Sequence, residues 1–439
     1  MPLQIFLAFS TAFFGRIFCS VTRAPSFLIH AHLVIIPLFF GVVLFKTYFN
    51  ARKKIAATWL LLVGLLLLFL VIIASTVLNN AGLINAILLF LMLGEPFMLL
   101  AAMVCVPMSL LNLKRFQSWL IGACFANMAL AFIQYLLLES GRIYAGGLDG
   151  TDGMAGVFFV SGAGNYVSTT VSLFFSFYYF MFVRESPLWL RSATVFFAFF
   201  QLKLSDSKQV LATLMIAAVI GIFTHIKDIK KTLLYLFASV IIGSGFNWCV
   251  YNLEGFEAFK NYATKDVYGP DGLAVQTKFA AFRIIPTYYQ SFLNELLGLG
   301  PGHTVGRLGG WLIQENWKIL GPLGATVHPA SAAVLEVNRN SWIAQESTMY
   351  CALFGWAGIW GDLGYLGVAS YLFLWFLVWH YFCLDYFSKF LVLSTLVFGL
   401  IFTQMEEPGY TLYAVVLIGL RRLEFQFSSL EHQEYKAVS

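Results

Sequence analysis

Ala56–Thr76 reads AATWLLLVGLLLLFLVIIAST, an apolar run without a charge and long enough to cross the hydrocarbon of a bilayer as one helix. The rest of the chain is of the same kind. Of its 439 residues, 59% are hydrophobic and 11% charged, and the mean hydropathy is strongly positive. A soluble domain carries about 25% charged residues. The aromatic share of 17%, with 45 Phe, suits lipid-facing helices and interfacial belts. These features predict an all-α, polytopic membrane protein. The net charge of +5 does not point to nucleic acid, because the only basic run, Arg52-Lys53-Lys54, flanks a span. The six cysteines are scattered through apolar segments with no CxxC spacing, which argues for packing rather than a metal or redox site.

Working outward from Ala56–Thr76, further spans are expected at 3–20, 27–45, 83–111, 116–138, 161–183, 187–204, 209–224, 232–246, 348–384, 389–404 and 409–421, about twelve in all. The first is weakly hydrophobic. It lacks the basic n-region of a signal peptide, and Arg16 sits where an h-region would continue, so no cleavable leader is expected. Lys46 with Arg52–Lys54, Lys114-Arg115, Arg184 and Arg191, Lys227 with Lys230-Lys231, Lys389, and Arg421-Arg422 are separated by even numbers of these spans. The positive-inside rule makes those loops, and both termini, cytoplasmic. Arg16 and Arg23 go against the rule. The chain then divides into an N-terminal bundle of about nine spans (1–246), a large extracytoplasmic loop (247–346) carrying short amphipathic helices, and a C-terminal bundle of about three spans (347–439).

The polar chemistry concentrates in the outward intervals, above all in Leu273–His303, LAVQTKFAAFRIIPTYYQSFLNELLGLGPGH. Arg283 stands between apolar neighbours, a setting in which a guanidinium seeks an anion such as a diphosphate, or else snorkels or pairs with Asp266 or Asp271. The Gly298–His303 stretch is either a tight turn or a backbone nest around an anion. In Ser205-Asp206-Ser207-Lys208, Lys208 opens a helix at the membrane surface, with Asp206 as its ion-pair partner or as a general base. Glu346 at the mouth of a span is a candidate base for a sugar hydroxyl. Asp362 is another, or simply a helix cap. Glu95, followed by Pro96, lies inside a span, where an ionisable group costs about 2.5–3.5 kcal/mol and marks a site or a paired position. Glu406-Glu407 reads as a solvated turn. Tyr288, Tyr289, Trp311 and Trp342 are either interfacial anchors or platforms for sugar faces. No HExxH, DxD or GxSxG motif is present, and His303 and His328 have no further ligand at zinc spacing.

Four of these stretches, taken in order, resemble the O-antigen polymerase and O-antigen ligase superfamily: Gly156-Val-Phe-Phe with Gly164-Asn165, Ser205–Lys208, Arg283 followed by Leu297–His303, and Gly361–Gly367. The resemblance covers roughly residues 150–375. It implies metal-independent glycosyl transfer, without a cofactor, from an undecaprenyl-diphosphate-linked glycan donor to a lipid-linked acceptor. The reaction would take place on the outer face of a bacterial inner membrane, alongside flippase and chain-length-regulator proteins. Arg283 and Lys208 would hold the departing diphosphate, Glu346 or Asp206 would take the proton, and Lys278, Arg142, His303, Arg339, Tyr288 and Tyr289 would contact substrate. The histidine-asparagine pair of the ligases would fall at Leu353-Phe354, where no histidine stands. That favours a polymerase of repeat units over a ligase. A lipid-linked-sugar transporter is the reading from another class. It fits less well, because transporters place their charges at the midplane in repeated halves.

Overall fold

The computed structural model describes residues 2–47, 52–142, 153–159, 163–224, 229–253, 267 and 271–438. The chain is 81% helix, and no strand occurs among these residues. This follows from the solvent: an apolar run in lipid must satisfy its own N–H and C=O groups, and a helix does so within one segment. The long helices are α1 (Pro2–Phe13), α2 (Gly15–Thr22), α3 (His32–Thr47), α4 (Arg52–Leu78), α5 (Leu83–Cys105), α6 (Leu110–Glu139), α7 (Gly164–Phe182), α8 (Leu188–Leu204), α9 (Lys208–Phe223), α10 (Ile229–Asn252), α11 (Gly355–Tyr381), α12 (Tyr386–Phe398) and α13 (Pro408–Val438). Among the described residues, five segments are long and apolar enough to cross a membrane: Ser26–Lys46, Ala57–Leu78, Leu83–Cys105, Leu110–Glu139 and Thr348–Tyr381. The first expected span is broken instead, since α1 and α2 meet at a bend of 64°.

The centre of the bundle is α5. It packs against α3, α4 and α13, and from Met92 to Cys105 every residue is buried. That burial explains how the helix tolerates Glu95, whose carboxylate lies 2.8 Å from Nδ1 of His32 on α3. The expected pairing of Glu95 is therefore found. Beside α5, α11 runs along α4, and Phe97 packs edge-on against Trp375 at 5.1 Å. Tyr410 and Tyr413 of α13 complete this core, fully buried.

The segment between α10 and α11 folds as short helices, among them Leu273–Lys278, Ala280–Ile284, Leu293–Leu297, Pro329–Asn340 and Trp342–Glu346. Ala280, Ala281, Ile285, Val305 and Val334 form a second apolar core with Phe354 and Trp360 at the start of α11. The helical periodicity expected over 273–296 is present but cut into four short pieces; Pro286, which has no N–H to continue an α-helix, accounts for the change at Ile285. Residues 143–152 of the outward interval, Asp266 and Lys227 lie outside the described residues.

Candidate functional site

The four motif stretches come together in two pairs. The Gly298–Thr304 turn docks onto a break in α11, where Gly364 leaves the helix at φ 64°. Leu299 N donates to Gly361 O at 2.8 Å and Gly300 N to Asp362 O at 3.0 Å. The carboxylate of Asp362 accepts from Gly302 N (2.8 Å), Thr304 N (2.8 Å) and Thr304 Oγ1 (2.6 Å). So the turn is a nest around an anion, and the anion is the chain's own side chain. Asp362 does not cap the helix beginning near Leu363. Glycine is obligatory on both sides of this contact: a Cβ on Gly298 would lie 2.4 Å from the Asp362 carbonyl carbon, and one on Gly364 2.3 Å from that of Leu296. In the second pair, Asn165 Nδ2 donates to Ser205 O at 3.2 Å, and Thr169 and Ser205 hydroxyls lie 2.9 Å apart. This joins the start of α7 to the Ser205–Lys208 turn.

Three residues beyond Thr304 the chain delivers Arg307. Gly306 crosses Gly358 of α11 so closely that a Cβ on Gly358 would meet the Gly306 Cα at 2.4 Å. This crossing buries Arg307, 3% exposed, against the turn before α13. Arg307 N donates to Glu406 Oε2 at 2.8 Å, and its Nη1 lies 2.7 Å from Glu407 Oε2 and 3.0 Å from Glu406 O. The other side of Glu407 faces Arg16, at the head of α2, at 3.4 Å. Glu406 and Glu407, expected to be solvated, are both buried. Neighbours one residue apart, they titrate in opposite senses. Burial pushes Glu406 up to about 8, the Arg307 N–H bond only partly opposing it. Burial would also raise Glu407, but the guanidiniums of Arg307 and Arg16 hold it below the ordinary carboxylate value. Such a pair, one neutral and one ionised at neutral pH, is a common feature of functional sites.

Glu407 and Arg16 line a cavity of about 420 Å³, together with Ser26, Ile29, Ala163, Trp311, Glu315, Phe402, Thr403 and Gln404. That is within the size range of small-ligand sites. Its wall adjoins both motif pairs: Ala163 precedes α7, and Trp311 follows the Asp362-bound turn. Arg16 is the only cation on the wall among the described residues. Trp311 and Phe402 stack within it at 5.2 Å, their planes 8° apart. Among the described residues, no three His, Cys, Asp or Glu side chains converge as metal ligands do.

No family model matches this chain, and no curated protein matches its sequence. The chemistry of the cavity must stand on its own residues.

The residues singled out from sequence are spread more widely than that cavity. Arg283, expected to be its main charge, is exposed and donates to the backbone carbonyl of Gln276, so it does not line the chamber. Glu346, Arg339 and Arg142 are also exposed and off its wall. Lys208 and Asp206 pair with each other at 2.6 Å, as the ion-pair reading expects. Lys278 is half-buried, donates to Cys351 O at 3.1 Å and sits 4.4 Å above the ring of Phe354. Burial lowers it to about 8. His303 is fixed between Leu299 O and Thr326 Oγ1, each at 2.8 Å, and burial lowers its pKa. Tyr288 packs against His328 at 5.4 Å and Tyr289 against Trp360 at 6.4 Å. Arg307 had no signal in the sequence beyond its place after the glycine turn. Arg16 had one, as an arginine in an apolar segment and against the charge rule.

Proposed function

We propose that the chain is a multi-pass membrane glycosyltransferase that extends a glycan on the outer face of a bacterial plasma membrane. Its donor is a polyprenyl-diphosphate-linked saccharide and its acceptor the hydroxyl of a second lipid-linked repeat unit. In this reading α1 to α13 cross about twelve times, α1 and α2 together making one broken crossing, with both termini in the cytoplasm. The segment between α10 and α11 then faces outward. The observation that carries the proposal is the cavity that presents one guanidinium, Arg16, and two carboxylates, Glu407 and Glu315, to the same space.

The reaction divides between those groups. The acceptor oxygen attacks the anomeric carbon and forms the new glycosidic bond. The bond from that carbon to the diphosphate oxygen breaks, and the diphosphate leaves on its lipid with the bonding pair. Arg16, shared only at 3.4 Å with Glu407, turns toward the leaving oxygens and stabilises their growing charge. The acceptor proton passes to a wall carboxylate, Glu407 in the depth or Glu315 at the exposed rim. Arg307 keeps Glu407 in place through its 2.7 Å contact and does not reach the wall.

The test is purified protein in liposomes with a defined undecaprenyl-diphosphate oligosaccharide and no energy source. Longer lipid-linked glycans with release of undecaprenyl diphosphate are expected. Movement of the saccharide across the bilayer without a new linkage would replace this reading with a transporter. Transfer only to a lipid or protein acceptor of another kind would make the enzyme a ligase.

A further inference from the structure

Two backbone irregularities converge on one aromatic pair in the cavity wall. Trp311 is carried on a π-helical turn, Leu308–Leu312, wound directly after Arg307. Such turns are rare and occur frequently at functional sites. Gly309 lets that turn close, since a Cβ there would lie 2.5 Å from both Gly302 O and Thr304 O. Beside it, Phe402 holds its backbone at φ 45°. That is a strained conformation for a bulky residue, and it persists only where the surroundings over-determine it. Both distortions place the two rings in parallel contact, beside Gln404, Glu315 and Glu407. The turn also anchors Leu308 and Leu312 in the main apolar core, and both rings pack against the second core, so the pair is held rigidly where the cavity meets the interior.

An aromatic platform edged by an amide and carboxylates fits a pyranose ring. Its C–H face is apolar and its rim is a ring of hydroxyl donors and acceptors. We propose that Trp311, backed by Phe402, is the saccharide subsite of the cavity, with Gln404 and Glu315 meeting the hydroxyls. This rests on the glycosyl-transfer reading for which sugar is bound and why, but saccharide binding can be measured without transfer.

The experiment uses the full chain in detergent and saturation-transfer difference NMR. The probes are the methyl glycosides of glucose, galactose and N-acetylglucosamine, each at millimolar concentration. At least one glycoside should give difference signals, strongest at its ring C–H protons. They should disappear in Trp311→Ala, survive in Trp311→Tyr, which keeps a ring at that place, and survive in Arg16→Ala. Absence of any signal from the wild type, or signals that Trp311→Ala leaves unchanged, overturns the subsite. A Trp311-dependent signal in a protein that forms no linkage in the liposome assay keeps the subsite and overturns the transfer reading. Transfer by a protein whose glycoside signals ignore Trp311 does the reverse.

Discussion

The carboxylate of Glu407 lies between two guanidiniums, 2.7 Å from Arg307 and 3.4 Å from Arg16. The two contacts differ in consequence. Arg307 is buried, and removing it takes away the 2.7 Å partner of Glu407 and leaves that carboxylate only the longer Arg16 contact, at a cost approaching the roughly 3–5 kcal/mol of a broken buried pair. Arg307→Ala is therefore expected to fail to accumulate, or to unfold well below the wild type, read by thermal unfolding in detergent. Arg16 is partly exposed on a cavity wall, so Arg16→Ala should fold normally. Glu406 supplies a pH test. Its folded value of about 8 stands above the ordinary carboxylate value of 4.5. Below the lower value the carboxyl is neutral in both states. Between the two, the unfolded chain releases a proton that the folded chain keeps, so stability falls as pH rises. Glu407, shifted the other way, acts below that window. The lowered His303 acts in the opposite sense, but only below its ordinary value of 6.5, so thermal unfolding followed from pH 7 to 8 should show a falling melting temperature in the wild type and a flatter profile in Glu406→Gln.

At the scale of elements, the contact between the Gly298–Thr304 turn and the broken α11 fixes where Arg307 and Trp311 emerge. Asp362 holds that contact through three donors. Asp362→Ala leaves two buried N–H groups unpaired, at about 1–3 kcal/mol each. It should lower the melting temperature and loosen the turn, and Asp362→Asn, which keeps one acceptor oxygen, should lose less. Gly358→Ala places a methyl 2.4 Å from the Gly306 Cα, backbone against backbone, and should not fold. The importance of both glycine stretches was legible in the sequence, because glycine runs flanked by apolar residues mark turns and close approaches. Their mutual docking was not, because it depends on about 60 residues of intervening chain and on Gly364 breaking a helix whose composition is continuous. Glu406-Glu407 was misread for a related reason. Two carboxylates before a proline look like a solvated turn until the partners, at positions 16 and 307, are brought to them.

At the scale of the whole molecule, hydropathy was sufficient to anticipate an all-helical chain, and among the described residues five of the expected spans coincide with segments long and apolar enough to cross a membrane. The remaining helices are shorter or more polar, and the twelve-crossing topology rests on the lysine and arginine pattern. Single cysteines can test it. Glu185→Cys, on the exposed link between α7 and α8, should react only with reagent admitted to the cytoplasm. Asn340→Cys, at the end of the Pro329–Asn340 helix, should react from outside. Labelling of both from one side would overturn the topology and the outward placement of the chamber. The same scale decides between the arginines. Sequence context favoured Arg283 because it stands beside the glycine turn in an apolar run. The fold leaves it exposed and brings Arg16, almost 400 positions from Glu407, to the wall of the cavity. The most direct measurement is the single-turnover rate of glycosidic bond formation from an undecaprenyl-diphosphate oligosaccharide in reconstituted Arg16→Ala and Arg283→Ala. Loss of one charge that stabilises the leaving group is expected to slow Arg16→Ala by about 10²–10³-fold, with Arg283→Ala close to wild type. A normal rate in Arg16→Ala, with the loss falling on Arg283→Ala instead, would contradict the account.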